Sequence, residues 1–287
     1  MPYSRLATPS ETIAVLRQHG LYTKKRLGQH FLVDDNVVGR IIALAELRGD
    51  EVVVEVGPGI GTLTSALCDR ARAVVAIERD AGLLPALAET SGSCEHLAVL
   101  HDDAVTADLR RVAQPFGAPV ALVANLPYAV AATVVLRFFE ELPTVRSATV
   151  MVQAEVADRM AALPGTKQYG AYTVKLRLFA EPAGRFQVAR TCFLPPPRVD
   201  SAVLRLVRSP LSNDASLLQY AADVADAAFA QRRKTVRNSL RATLDAVDAV
   251  IDAALGEAQI DGSARAETIE PLRFLALAAA LRARESE

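Results

Sequence analysis

Glu51-Val-Val-Val-Glu-Val56 runs directly into Gly57-Pro58-Gly59-Ile60-Gly61-Thr62, and then into a helical pattern through Leu67. The Val-rich run has the composition of a strand buried on both faces, as in a parallel sheet. A strand, a glycine turn and a helix in that order open a doubly wound α/β sheet, in which ligands sit at the carboxyl ends of the strands. Glycines let the backbone pass close beneath a ligand and aim its amides there, which marks Gly57, Gly59 and Gly61 as candidate binding positions. A dinucleotide fingerprint, G-x-G-x-x-G/A, requires a small residue where Thr62 stands. The form present is acidic-x-G-x-G-x-G, from Glu55 to Gly61. It suits S-adenosylmethionine, which carries no pyrophosphate.

Reading outward, three further strand ends carry polar residues. Ala73–Ile77 ends in Glu78, 21 residues after Gly57, where a carboxylate can grip both ribose hydroxyls. A third strand near 96–100 leads to His101-Asp102-Asp103-Ala104, and Asp103 is preferred over Asp102 as acceptor for the cofactor's adenine amine. The fourth, Val120–Ala124, delivers Asn125-Leu126-Pro127-Tyr128. An amide, a turn with free carbonyls and an aromatic face are the parts needed to hold a planar exocyclic amine such as adenine N6. Its lone pair is delocalised into the ring, so two acceptors on its N–H groups draw the nitrogen toward a reactive tetrahedral form. Tyr128 can stack on a base extruded from its neighbours. An ordinary turn also accounts for this tetrapeptide; the succession of four strand ends favours a site.

The flanks add candidate substrate contacts. Thr8-Pro9-Ser10-Glu11 reads as a capping box opening a short helix through Gln18. Lys24-Lys25-Arg26-Leu27-Gly28-Gln29-His30-Phe31-Leu32 follows, read as a lid with its cations toward phosphate. Further on, Phe193-Leu194-Pro195-Pro196-Pro197-Arg198-Val199-Asp200-Ser201 is a loop stiff enough to hold Phe193 opposite Tyr128, as the second face of a base clamp. Beyond the linker Ser209–Asp214, Arg232, Arg233, Lys234 and Arg237 lie on or beside a helix and suit contacts to a phosphate backbone. Such contacts position a nucleic acid but read no sequence.

Composition is compatible with this division. The 287 residues, half of them apolar, suffice for one substantial α/β domain and a smaller one. The net charge of −1 argues against a polyanion partner, but its distribution does not. Arg185–Leu240 holds nine Lys/Arg against four Asp/Glu, and Arg241–Glu287 five against nine. No apolar run of membrane-spanning length and no signal segment is present, so a cytoplasmic protein without a membrane is expected. Cys68, Cys94 and Cys192 form no CxxC, and the four histidines no HxxxH, so neither a metal site nor a disulfide is expected.

Taken together, Leu27-Gly-Gln-His-Phe-Leu32, Glu55–Thr64, Asn125–Tyr128, Phe193–Ser201 and Phe229-Ala-Gln-Arg-Arg-Lys-Thr-Val-Arg-Asn-Ser-Leu240 resemble the bacterial small-subunit ribosomal RNA adenine dimethyltransferases. The likeness runs from about Lys24 to Leu240. It implies a class I methyltransferase fold, Rossmann-like with a mostly parallel seven-stranded sheet, and a small all-helical C-terminal domain. Three parts are expected: 1–32 as N-terminal helix and basic lid, 33–208 as the methyltransferase domain, and 213–287 as a helical RNA-facing domain. The resemblance implies dimethylation of N6 on two adjacent adenosines near the 3′ end of 16S rRNA, within the 30S subunit or its precursor; nothing in the sequence suggests an obligate dimer, and a monomer is expected. The resemblance places the donor site on His30, Leu32, Gly57, Glu78, Asp103 and Asn125; His30 and Leu32 come mainly from it. Relatives often carry Asn at the position of His30, and a polar run where Ala129-Val130-Ala131 stands. The rival readings are a large-subunit rRNA adenine methylase of the macrolide-resistance type and a small-subunit assembly factor with methylation secondary. A DNA adenine methylase would add a target-recognition region, and an oxidoreductase is disfavoured by Thr62.

Overall fold

The computed structural model describes residues 2–21, 29–231 and 233–285. The chain divides into two compact units, Met1–Ala157 with Pro182–Val207, and Asp158–Glu181 with Arg208–Glu287.

The first unit is built on a seven-stranded sheet. Its strands are β2 (Val52–Val56), β3 (Ala73–Glu78), β4 (Leu97–His101), β5 (Ala121–Asn125), β6 (Ser147–Gln153), β7 (Ala180–Val188) and β9 (Ser201–Arg208). Their spatial order is β4-β3-β2-β5-β6-β9-β7. The pairs β2/β3, β3/β4, β2/β5 and β5/β6 are parallel, and β9 is antiparallel to β6. The chain progresses outward from β2 to β4, then returns to lay β5 on the other side of β2. That reversal opens a crevice at the carboxyl ends of β2 and β5. Extending the register Val53↔Ala121 and Val54↔Leu122 brings Gly57 level with Asn125.

Helix α1 (Pro9–Gln18) starts where the capping box places it, with Thr8 Oγ1 accepting from Glu11 N. Its Leu16 packs with Phe31, Ile60 of the glycine turn, and Leu83 and Ala86 beside and in α4 (Leu84–Thr90). The sheet unit therefore includes the N-terminal helix that the sequence reading set apart. Helices α2 (Asp35–Ala45) and α3 (Thr62–Cys68) bury one face of the sheet: Val38, Ile41, Leu63 and Leu67 meet Val53, Val74, Val123 and Met151. Helix α5 (Ala131–Glu141) follows the Asn125–Tyr128 turn and buries Val134, Val135, Phe138 and Phe139. A separate two-stranded ribbon pairs β1 (Phe31–Leu32) with β8 (Phe193–Leu194), antiparallel, with Leu32 opposite Phe193.

The second unit contains α7 (Ala171–Arg177), α8 (Ala215–Phe229), α9 (Val236–Thr243), α10 (Asp248–Glu257) and α11 (Pro271–Glu285). Residues 158–181, assigned by sequence to the sheet domain, belong to this unit together with the last residues of α6 (Ala154–Met160). Tyr169 explains the assignment. Its hydroxyl donates to Ile269 O at 2.6 Å, and its ring continues into Phe229 and Phe274. Gly165 N also donates to Glu267 O. The stretch 171–179, whose periodicity allows helix or strand, is helical through Arg177. No helix among the described residues is long and apolar enough to cross a membrane.

One expectation fails outright. Cys68 and Cys94 are bonded as a disulfide, with Cα atoms 6.0 Å apart. The 25 residues between them carry the chain out along β3 and back through α4, returning Cys94 beside the end of α3. A spacing motif does not register such a pair, because tertiary folding rather than sequence distance brings it together.

Candidate functional site

A cavity of about 690 Å³ opens at the β2/β5 crevice. The glycine turn forms its floor. Gly57, Gly59 and Gly61 have φ of 71°, 62° and 89°, the left-handed region that glycine adopts without a steric cost. A Cβ at Gly57 would lie 3.3 Å from Pro127, so this glycine lets the turn approach the Asn125–Tyr128 segment. Gly57 and Gly59 line the cavity; Gly61 does not. A Cβ on Gly61 would stand 2.9 Å from both Ser91 Oγ and Thr90 Oγ1, so this glycine serves the packing of α3 against the end of α4. This corrects its expected ligand role.

Glu78 closes β3 almost fully buried, at 6% exposure. Its Oε2 accepts from Gly59 N at 3.2 Å and its Oε1 from Asp80 N at 2.7 Å, so two main-chain amides fix the carboxylate beside the floor. Burial raises its pKa above the usual carboxylate range, against the pull of those amides. Glu55 lies beneath, 1% exposed, and burial pushes its carboxyl up to about 8, with the nearby Glu78 charge adding in the same direction. Its Oε2 and the Thr62 hydroxyl find no hydrogen-bond partner among the described residues. Past β4, Asp103 Oδ1 accepts from Val105 N, and its other oxygen pairs with Arg79 at 3.2 Å. Asp102 is held in the same way, its Oδ1 accepting from Asp103 N and its Oδ2 paired with Arg111 Nη1 at 2.7 Å. Both face the cavity.

Asn125, half-buried, ends β5. Its Nδ2 points to His30 O at 3.4 Å, turning Oδ1 away as an acceptor. Leu126 anchors the turn: its side chain is 1% exposed and its N–H donates to Met151 O. Pro127 O accepts from Val130 N, closing the turn ahead of α5. Tyr128 is held from two sides. Its hydroxyl lies 2.6 Å from Ser201 Oγ, and its ring stacks on His30 with centroids 5.7 Å apart at 25°. Burial raises the Tyr128 pKa, so the phenol stays protonated. His30 is itself held by a 2.7 Å hydrogen bond from Nδ1 to Pro195 O; a carbonyl only accepts, so Nδ1 carries the proton. Leu32 lines the cavity wall from β1.

Phe193 does not stand across from Tyr128. It is 2% exposed and packed in the sheet core, in the cluster that contains Leu32, Val38 and Val203. Pairing of β8 with β1 turns its ring inward, and the ring facing Tyr128 is His30 instead. Sequence reasoning left Ser201 and Asp80 out of the site and took Gln29 only as part of the lid segment that folds over a ligand. Gln29 Nε2 donates to Asp80 Oδ2 at 2.9 Å, tying the segment before β1 to the loop after β3. Gln29 carried a signal inside the motif Leu27–Leu32, and Ser201 as the last residue of the Pro-rich stretch; Asp80 carried none.

In the helical unit, Arg233 and Lys234 are exposed. Arg237 is ion-paired with Asp252, and Arg241 with Asp248. Acidic residues of α10 thus neutralise part of the basic stretch. Lys24, Lys25, Arg26 and Arg232 lie outside the described residues.

Comparison with known proteins agrees with this geometry. The family model of the ribosomal RNA adenine dimethylases matches residues 20–282. The chain is 40% identical over 282 residues to the ribosomal RNA small subunit methyltransferase A of Shouchella clausii (strain KSM-K16), covering 96% of this chain and 95% of that protein. It is 40% identical over 285 residues to the protein of the same name from Geobacillus thermodenitrificans, covering 96% and 97%. Among solved structures, the 23S rRNA methyltransferase ErmE is similar, with a TM-score of 0.64 and 32% identity over 88% of this chain and 99% of that one. A dimethyladenosine transferase from Plasmodium falciparum shares the fold, with a TM-score of 0.71 at 22% identity over 86% of this chain and 96% of that one.

Proposed function

The chain belongs to the ribosomal RNA adenine dimethylase family, and from that premise we infer that it dimethylates N6 of two adjacent adenosines near the 3′ end of 16S rRNA, using S-adenosylmethionine, on the 30S subunit or its precursor. The observation that carries the reading is Asn125–Tyr128 at the head of a cavity whose other walls hold Gly57, Glu78 and Asp103.

The donor set suits S-adenosylmethionine. Glu78, Asp80, Asp102 and Asp103 face the cavity against Arg79 as the one Lys or Arg lining it among the described residues. Such a wall favours a cationic ligand with an ammonium and a sulfonium, and repels a dinucleotide pyrophosphate. Glu78 would hold the ribose, Asp103 the adenine amine, and the Gly57–Gly59 turn would pass beneath the ligand. When bound, that ligand supplies an electrophilic methyl group.

The remaining chemistry belongs to the chain. Asn125 Oδ1 and a main-chain carbonyl of the turn accept the two N6 hydrogens, which pulls the lone pair out of conjugation. Tyr128, held by Ser201 and His30, offers its face to the extruded base. Alignment of nitrogen and methyl converts a bimolecular encounter into an oriented displacement. Stabilising the charge that develops on nitrogen lowers the barrier further. The proton leaves after the nitrogen has become cationic, so no side-chain base is needed. A second transfer requires room for a monomethylated amine and exchange of donor between rounds.

The deciding experiment offers labelled S-adenosylmethionine with unmethylated 30S particles, 50S particles or naked rRNA, with products read by nucleoside mass spectrometry. Dimethyladenosine on 30S particles alone is expected; label in large-subunit RNA would transfer the assignment to the type of ErmE. The Asn125→Ala variant should lose about 10²-fold or more in transfer rate while still binding 30S particles. Loss of binding as well would show that the amide has a role beyond chemistry.

A further inference from the structure

Three side chains with soft-metal chemistry converge at the edge of the sheet opposite the cavity. Cys68 ends α3, and Cys94 and His96 lead into β4. Parallel strands place their starts at the edge remote from the ligand crevice, and the helix connecting two of them ends there too. None of the three lines the cavity. Their ligand atoms all lie within 4.8 Å of one another, and each residue is partly exposed.

We propose that Cys68, Cys94 and His96 form a binding site for a soft divalent cation of the zinc class, open when both thiols are reduced and closed when they are joined as the disulfide. Two observations point to a cation. A tetrahedral zinc centre with two sulfurs and one imidazole nitrogen holds those atoms about 3.5–3.8 Å apart; here all three lie within 4.8 Å with the two sulfurs bonded to each other, so reduction and side-chain rotation at the two cysteines would bring the set onto one ion. The imidazole is also oriented before any metal arrives: His96 Nε2 lies 2.9 Å from Cys68 O. A carbonyl only accepts, so Nε2 bears the proton and Nδ1 keeps its lone pair. A ring N–H donated to a main-chain carbonyl is the usual outer support of a metal-bound histidine. The backbone is pinned as well, with Val74 N donating to His96 O and Cys94 N to Ser91 O. Partial exposure leaves a fourth position for water.

The chemistry balances. Cation uptake by the reduced site displaces the two S–H protons to solvent and forms two metal–thiolate bonds. Oxidation by a peroxide takes one electron from each sulfur and forms the S–S bond. The two protons that the peroxide oxygens take come from the thiols of the empty site, or from solvent when the site is loaded and its cation is released; with hydrogen peroxide the oxygens leave as two waters. The disulfide retains no thiolate, so two of three ligands are lost together.

The test uses the full chain carrying Cys192→Ser, which leaves Cys68 and Cys94 as the remaining thiols, reduced with a phosphine. Cobalt(II) is the probe and zinc the competitor. One equivalent of cobalt should produce thiolate-to-metal charge-transfer absorption with tetrahedral visible bands, and stoichiometric zinc should erase both. Cys94→Ser should abolish the signal, and His96→Gln should weaken apparent affinity about 10-fold or more, with circular dichroism checking that each variant is folded. Hydrogen peroxide should remove the bands and fresh phosphine restore them. The proposal is overturned if the reduced protein with its native Cys68, Cys94 and His96 shows no charge-transfer band, if His96→Gln binds cobalt with undiminished affinity, or if the bands survive peroxide.

Discussion

At the scale of single residues, Glu55 and Tyr128 show how burial sets chemistry. With its carboxyl pushed up to about 8, Glu55 is mostly protonated at neutral pH. The native state therefore holds a proton that the unfolded chain releases above its ordinary carboxylate pKa. Stability from this group is present below that ordinary value and declines as pH rises toward about 8, at up to about 1.4 kcal/mol per pH unit. Glu55→Gln should flatten the fall of the urea midpoint between about pH 5 and about pH 9, leaving the variant more stable than the parent at the alkaline end; Glu78, shifted the same way, supplies the remaining slope. Equal slopes for the two proteins would show that Glu55 is ionised in the fold. Tyr128 depends on a fully buried partner, Ser201. Ser201→Ala should slow transfer about 10-fold, the equivalent of one hydrogen bond of about 1.4 kcal/mol. Tyr128→Phe added to it should cost little more, because both changes delete the same bond. Additive losses in a rate assay would place Ser201 in some other role.

At the scale of elements, the glycine turn divides its labour. Gly57 and Gly59 serve the cavity, while Gly61 lets α3 begin against α4. Gly61→Ala forces a side chain into φ 89° and a contact 2.9 Å from two hydroxyls. The expected loss is about 2–4 kcal/mol of unfolding free energy, from backbone strain and overpacking together, read as a lower midpoint in denaturant. Donor affinity of the surviving folded protein should change less than for a bulky residue at Gly57. The ribbon of β1 and β8 acts at the same scale. It carries His30 to Pro195 and Tyr128, and in doing so turns Phe193 into the core.

At the scale of the whole molecule, the basic segment near α9 is smaller than its count of cations suggests. Asp252 and Asp248 occupy Arg237 and Arg241, leaving Arg233 and Lys234 exposed. The double variant Arg233→Ala/Lys234→Ala should weaken rRNA binding across sequences and reduce the slope of log affinity against log salt by about 1.4–2. Filter binding at a series of salt concentrations reads this directly; an unchanged slope would remove these two cations from the RNA contact.

The order of the site was legible along the chain. Each strand end carries its residue locally: glycine turn, Glu78, Asp103, Asn125. Buried parallel strands are apolar runs, and a doubly wound sheet must bring their carboxyl ends to one edge, so a linear reading yields the crevice. What the linear reading left open are meetings of residues distant in sequence. Whether Phe193 faces a base or the core depends on its partner Leu32, 161 residues away. Cys94 reaches Cys68 because β3 and α4 return the chain to the end of α3. Residues 158–181 join the helical unit because Tyr169 meets Ile269. Sequence by itself determined the strands, the glycine turn and the residues at their ends, because periodicity and backbone preference act over a few residues. Tertiary structure alone decided which side chains are buried, paired or free to act, because those outcomes depend on packing partners that the chain supplies from far away.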